Sequence, residues 1–190
     1  VDWEPSFGTA LDRDWNRGSP VLGPHLHLVK GRAAVELAGM GAVTSPDELL
    51  TEAERDLQEA RKLDANNAQA YSYLAQVFVE RGELAASRGD RNEQAAAGRQ
   101  VDDILAEGVR AAGETAEAHI HLLGRKLALT QQGTITAARE QMKALESAYE
   151  ELPRRFASSA RAFAAQAQFY SLFSAYLDSA SAAADRDWPC

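Results

Sequence analysis

A single cysteine, Cys190, stands at the last of 190 positions, which excludes an intrachain disulfide and a cysteine metal cluster. Long apolar runs are missing too: no stretch of about 18 hydrophobic residues reads as a membrane-inserted helix. Basic residues are in deficit, with 20 Lys and Arg against 28 Asp and Glu and a formal net charge of -8. A surface of that sign repels phosphate backbones and anionic headgroups, which argues against nucleic acid and membrane surfaces as partners. The densest basic cluster, Arg154-Arg155 with Arg161 further on, reads as a solvated helix start. There is no Walker loop, no GxGxxG after a strand, no GxSxG elbow and no HExxH helix. Gly31, Gly124 and Gly133 are isolated and suit helix contact or termination better than phosphate binding. The opening Val1-Asp2-Trp3-Glu4 is neither a signal peptide nor an initiator methionine, so a segment of a longer chain or a processed product is expected. The compartment stays open: a cytoplasmic chain, a periplasmic one, or one anchored through segments outside this sequence all fit.

What is present is the composition of a folded protein. Hydrophobic residues make up 45% and charged residues 25%, with only 6 prolines, and the length suits one domain with a continuous core. Between Leu50 and Leu63, the residues Leu50, Ala53, Leu57, Ala60 and Leu63 recur at three- and four-residue spacing, the mark of one buried helical stripe. Opposite them lie Glu52, Glu54, Arg55, Gln58, Glu59 and Arg61, a solvated face. Asp64-Ala65-Asn66-Asn67 favours a turn and a cap, and a second stripe follows through Ala70, Tyr71, Leu74, Ala75 and Phe78. Two antiparallel helices joined by a short turn are predicted.

This junction resembles the tetratricopeptide repeat family. Ala53, Leu57 and Ala60 match the family's small-x3-aromatic/aliphatic-x2-Ala helix, Leu63-Asp64-Ala65-Asn66-Asn67 its turn, and Tyr71, Leu74, Ala75 and Phe78 its aromatic-x2-Leu-Ala helix. Ala65 stands where the family usually has proline. An offset of 48 carries both helices forward: Val101 on Ala53, Leu105 on Leu57, Gly108 on Ala60, His119 on Tyr71, His121 on Tyr73 and Leu122 on Leu74. An offset of 46 backward puts His25 on Tyr71, His27 on Tyr73 and Leu28 on Leu74. The period exceeds the family's typical value of about 34 residues by roughly 12 to 14, close to four helical turns. The extra length is expected in a long helix over Arg91 to Ala111 and in a loop from Gly39 to Pro46.

The resemblance implies an all-α fold of about seven helices, a right-handed superhelical stack of antiparallel hairpins of the TPR-like α-solenoid kind. The expected divisions are an N-terminal segment over 1–22, a repeat domain over 23–181 and a C-terminal tail over 182–190. Within the repeat domain, hairpins are expected at 23–66, 67–114 and 115–153, with a capping helix at 157–177. The third hairpin's last helix, Ala137 to Leu152, carries Met142, Leu145, Ala148 and Tyr149, and Pro153 is expected to end it. The capping helix presents Phe163, Phe169, Tyr170, Phe173, Tyr176 and Leu177, an apolar face fit to close a stack. In the opening segment Phe7, Leu11 and Trp15 suggest one short helix from Thr9 to Asn16 packed on the first hairpin.

The histidines fall in two pairs, His25-x-His27 and His119-x-His121. Helical residues two apart diverge by about 200°, so neither pair chelates one ion. These rings, with Tyr71 and Tyr73, read instead as a repeated packing feature, one ring of each pair buried and the other facing an inner surface. Asp102-Asp103, Glu150-Glu151 and Glu52/Glu54 are adjacent or near-adjacent carboxylates without a tuning partner. No catalytic residue, metal or cofactor is assigned.

The resemblance implies that the first helix of each hairpin lines a concave groove. Its candidate partner-binding residues are Leu26, His27 and Lys30, then Gln69, Ser72, Tyr73, Gln76 and Glu80, then Glu117, Ile120, His121 and Arg125. Aromatic, amide and mixed charge point to a protein or peptide segment as partner. The expected function is a non-catalytic scaffold or adaptor. Two other readings stay open: a regulatory region of a larger enzyme such as a signalling kinase, and a homo-oligomeric module assembled through the aromatic last helix.

Overall fold

The structure, a computed structural model, describes residues 22–40, 45–131 and 135–184. Among the described residues there are seven α-helices and no strand: α1 (Leu22–Gly39), α2 (Pro46–Leu63), α3 (Ala68–Ser87), α4 (Arg91–Ala111), α5 (Ala116–Gln131), α6 (Ile135–Arg155) and α7 (Ala160–Ala184). The fold class is all-α. No helix is long and apolar enough to cross a membrane. The short helix expected over Thr9–Asn16, Gly133 and the tail from Asp185 onward lie outside the described residues. The chain divides into two compact units, Val1–Ala112 and Gly113–Cys190.

In the first unit, α2 is begun and ended by its own charges. Pro46 sits in the first turn, where its missing N–H costs nothing, with Asp47 and Glu48 beside it and Arg61 and Lys62 in the last turn, each sign matching the local end of the helix dipole. Its stripe of Leu50, Ala53, Leu57 and Ala60 is 0% exposed. Leu63 departs from the expected stripe and is 50% exposed, because repeated three-residue steps rotate a stripe backwards by about 60° each. Asn67 caps α3 by accepting from the Ala70 amide at 3.2 Å.

At its far end α3 closes in a Schellman turn: Asp90 N donates to Ala85 O at 2.9 Å and Gly89 N to Ala86 O at 3.0 Å. Gly89 takes the left-handed φ of 76° that the turn needs. Asp90 then opens α4 by accepting from Asn92 N at 3.0 Å and Glu93 N at 2.9 Å.

One close backbone approach and three ion pairs tie these four helices together. At Gly31 the backbones of α1 and α2 come close: a Cβ there would meet Leu57 Cγ at 2.5 Å and the Ala53 carbonyl at 3.2 Å. Around α3, polar straps reach across to α2, with Arg81 to Glu54 at 2.7 Å and Arg88 to Asp47. Arg61 of α2 reaches Glu107 of α4 at 2.8 Å.

Burial corrects the alignment of the first hairpin. At the expected offset of 46, buried Tyr71 and Ala75 fall on exposed His25 and Val29. One residue further, Tyr71 falls on Pro24, Ala75 on Leu28, Phe78 on Gly31 and Ala85 on Ala38, all buried. A one-residue slip turns a helix by about 100°, enough to exchange its inner and lateral faces.

In the second unit α6 packs against both α5 and α7. Its core is Leu122, Met142, Leu145 and an aromatic column in which Tyr149 stacks on Phe169 at 4.4 Å and 12°, and Phe169 on Phe173 at 5.6 Å. Burial pushes the Tyr149 hydroxyl up to about 12. Tyr170 is anchored from the side by donating to Glu150 at 2.9 Å. Two expectations change here. Helix α6 runs past Pro153 to Arg155, because proline in a last turn removes only one backbone bond. Phe163 is 51% exposed and stands outside the aromatic column.

Substituting Gly31 by Ala forces a methyl against a branched carbon and a carbonyl, so it is expected to destabilise by about 1–3 kcal/mol despite better helix propensity. Gly98, where an added Cβ meets nothing within 4 Å, should respond oppositely to Ala, with a gain of about 0.5–1 kcal/mol. Urea unfolding midpoints of the two variants measure both signs.

Candidate functional site

The best-defined repeated geometry joins a helix to the turn before it. The Tyr71 hydroxyl donates to the Ala65 carbonyl at 3.2 Å. His119 Nε2 lies 3.0 Å from the Gly113 carbonyl, and because a carbonyl only accepts, that nitrogen carries the proton. Donor and acceptor are both displaced by 48 positions, so the same clasp occurs in two hairpins with two different rings. Tyr71 is 3% exposed and His119 4%. Arg61 lies over the Tyr71 ring at 5.5 Å, and His119 meets Phe156 at 5.2 Å. The Gly113 carbonyl also accepts from Arg155 at 2.7 Å, and Gly113 has a φ of 59°. Desolvation, with Glu107 next, raises the Tyr71 pKa, and Arg61 opposes them.

The clasp dictates what the neighbouring ring does. A residue two positions on is rotated by about 200° and leaves the core. Tyr73 is accordingly half-buried and His121 exposed. His121 keeps one side open, yet its pKa is lowered, first by partial desolvation and then by the Arg125 guanidinium.

The candidate residues of the first unit do not form one open surface. Tyr73 of α3 faces α1, where Arg32 lies 5.6 Å from its ring centre while donating to Glu36 at 2.8 Å. His27 turns instead to α2, its Nδ1 2.7 Å from Asp56 Oδ1 with both side chains nearly enclosed. Ser72 is buried and offers no surface, Gln69 is exposed, and Leu26 and Lys30 are half-buried. Gln76 donates to Glu80 one turn on. His27 and Tyr73 are thus turned to different neighbours, as the one-residue register correction requires.

The second unit holds a recess of about 230 Å³ between α5 and α7. Ile120, Gly124, Leu127 and Ala128 form one wall, Ala165, Gln168 and Leu172 the other, and Tyr149 and Phe169 the floor. Glu117 and Arg161, on the same two faces a turn nearer the helix starts, pair at 3.7 Å. Gly124 has open space where a Cβ would stand, so the recess owes its depth partly to a missing side chain. Of the residues expected to face a partner, Ile120 lies in the lining of this recess and Glu117 lies beside it. The α7 wall was not expected, because that helix reads as a cap. Its small residues, Ala165 opposite Gly124 and Ala128, were the available signal.

Among the described residues no group of three or more His, Cys, Asp or Glu is placed to hold a metal ion. Of the adjacent carboxylates, Glu150 accepts from Tyr170 and Glu151 from Arg154. Comparison with known proteins finds no match, neither a family model nor a curated protein nor a solved structure.

Changing Tyr71 to Phe removes the clasp hydrogen bond while keeping the ring, and should lower stability by about 0.5–1.5 kcal/mol by urea unfolding. His121 should titrate by NMR below the ordinary histidine value of about 6.5, and Arg125→Gln should raise it. Because its folded pKa is lowered, the associated stability is present above about pH 6.5 and lost as the pH falls through the folded value.

Proposed function

We propose that the chain is a divergent tetratricopeptide-like stack of helical hairpins with a non-catalytic role, holding a protein or peptide segment against the first helices of its hairpins. The observation that carries this reading is the duplicated clasp. Tyr71 with Ala65 and His119 with Gly113 share one spacing and one geometry, as two copies of one structural unit would. Within each unit the clasp turns the residue two positions on out of the core and toward solvent. Tyr73 in the first unit and His121 in the second are the side chains so presented. The recess between α5 and α7 adds an apolar socket floored by Tyr149 and Phe169, suited to an anchoring aliphatic or aromatic side chain of the bound segment.

The ligand is taken as polypeptide because the available surface mixes an aromatic ring, amides and both signs of charge around a small apolar socket, the composition of a peptide groove. The net charge of -8 disfavours nucleic acid. No cofactor enters the proposal.

Peptides selected on the immobilised chain from a random display library supply the ligand for a test. Tyr73→Ala and His121→Ala should each weaken binding of the selected peptides by about 5- to 30-fold in fluorescence polarisation, with helical circular dichroism unchanged. Equal affinity in all three proteins would discard the groove.

A further inference from the structure

Tyr71 and Tyr170 both donate their hydroxyls to protein acceptors, the Ala65 carbonyl and the Glu150 carboxylate. Tyr149 does not. It is 3% exposed, and among the described residues its Oη meets no hydrogen-bond partner. Nor is that oxygen sealed in by its neighbours: the little access that Tyr149 keeps reaches its polar tip, and the residue forms part of the floor of the recess between α5 and α7. A buried donor without an acceptor is a standing cost to the fold. One at the floor of a cavity is explained by a ligand that brings the acceptor.

We infer that this recess binds a small neutral aryl carbonyl compound, its ring held between α5 and α7 and its carbonyl oxygen accepting from Tyr149 Oη. Size sets the scale. An apolar cavity of about 150 Å³ admits benzene, so a recess of about 230 Å³ has room for one ring with a short substituent. The walls favour a flat group, because Gly124 and Ala128 on α5 stand across from Ala165 on α7, and Phe169 at the floor offers a ring to pack on. The lining excludes an ion. Among the described residues its only polar side chains are Tyr149 and Gln168, so a charged ligand would lose its water without gaining a counter-ion. The Glu117–Arg161 pair a turn away is exposed and answered within itself at 3.7 Å.

The hydroxyl decides which polar group the ligand carries. With its pKa pushed up to about 12 by burial, Tyr149 keeps its proton throughout the physiological range. A phenolic oxygen shares its lone pair with the ring and so donates better than it accepts, which calls for an acceptor on the ligand. Binding here is independent of any peptide groove: neither Tyr73 nor His121 lines the recess, so a peptide that ignores both residues leaves this site untouched.

The test titrates acetophenone and its hydrocarbon isostere isopropenylbenzene into the full 190-residue chain, following the methyl signals of Ile120, Leu127 and Leu172 by NMR. Acetophenone should shift these signals with a dissociation constant on the order of 0.1–1 mM, the range open to so small a ligand. Tyr149→Phe should weaken acetophenone by about 3- to 10-fold, the worth of one hydrogen bond, and leave isopropenylbenzene unchanged, a double difference that separates the hydroxyl from the apolar fit. The same variant should match or exceed the parent's urea midpoint, because it removes a buried hydroxyl that has no protein partner. Gly124→Leu, whose side chain grows into open space, should weaken both probes by at least about tenfold with the midpoint retained. Benzoate, the charged analogue, should bind at least about tenfold more weakly than acetophenone. An acetophenone titration that moves none of the three methyl signals up to its solubility limit overturns the inference. So does equal acetophenone affinity in the parent and Tyr149→Phe, binding that survives Gly124→Leu, or benzoate binding as tight as that of acetophenone.

Discussion

The structure turns on a hydrogen bond from a buried ring to the carbonyl of the preceding turn. A helix that begins after a short turn has a free choice of rotation about its axis until something pins its first residues. Tyr71 and His119 supply that pin, each closing onto a carbonyl six residues earlier. With the ring fixed inside, Leu74 and Leu122 fall inward one turn on, 2% and 0% exposed. The position two residues after the ring is then presented outward. Phenol and imidazole exchange roles here because the site asks only for a planar ring with one donor at its tip.

Much of this was legible in the sequence, and the reasons are local. Helix identity followed from three- and four-residue spacing, and the α2–α3 turn from Asp64 to Asn67, because capping and turn chemistry act over a few residues. The pairing of Tyr71 with His119 was likewise visible, since one offset carried α2 onto α4 and α3 onto α5. The first hairpin was misaligned by one residue because matching rings outweighed matching burial: His25-x-His27 looks like Tyr71-x-Tyr73, but Gly31 sets the register through its approach to Leu57. A glycine is a weak signal in one dimension and a strong one in three.

The recess between α5 and α7 escaped the sequence for a related reason. Pattern reading rewards large apolar residues, whereas a cavity is defined by small ones. Gly124, Ala128 and Ala165 make the opening by leaving room, and the aromatic column beneath them keeps the walls from collapsing into it. Tyr149 stacked on Phe169 cannot move toward the opening without giving up its 4.4 Å contact. Large side chains thus support the space, and small ones create it.

The junction between α3 and α4 has a consequence for how such a chain evolves. Arg88, Gly89 and Asp90 alone separate the two helices, and each is committed: Arg88 by its pairing with Asp47, Gly89 by its backbone, Asp90 by stopping one helix and starting the next. An inserted residue would divorce the two tasks of Asp90 and swing α4 away from its bed. A change of length in this unit therefore has to fall outside residues 88–90, where the bend admits no extra residue.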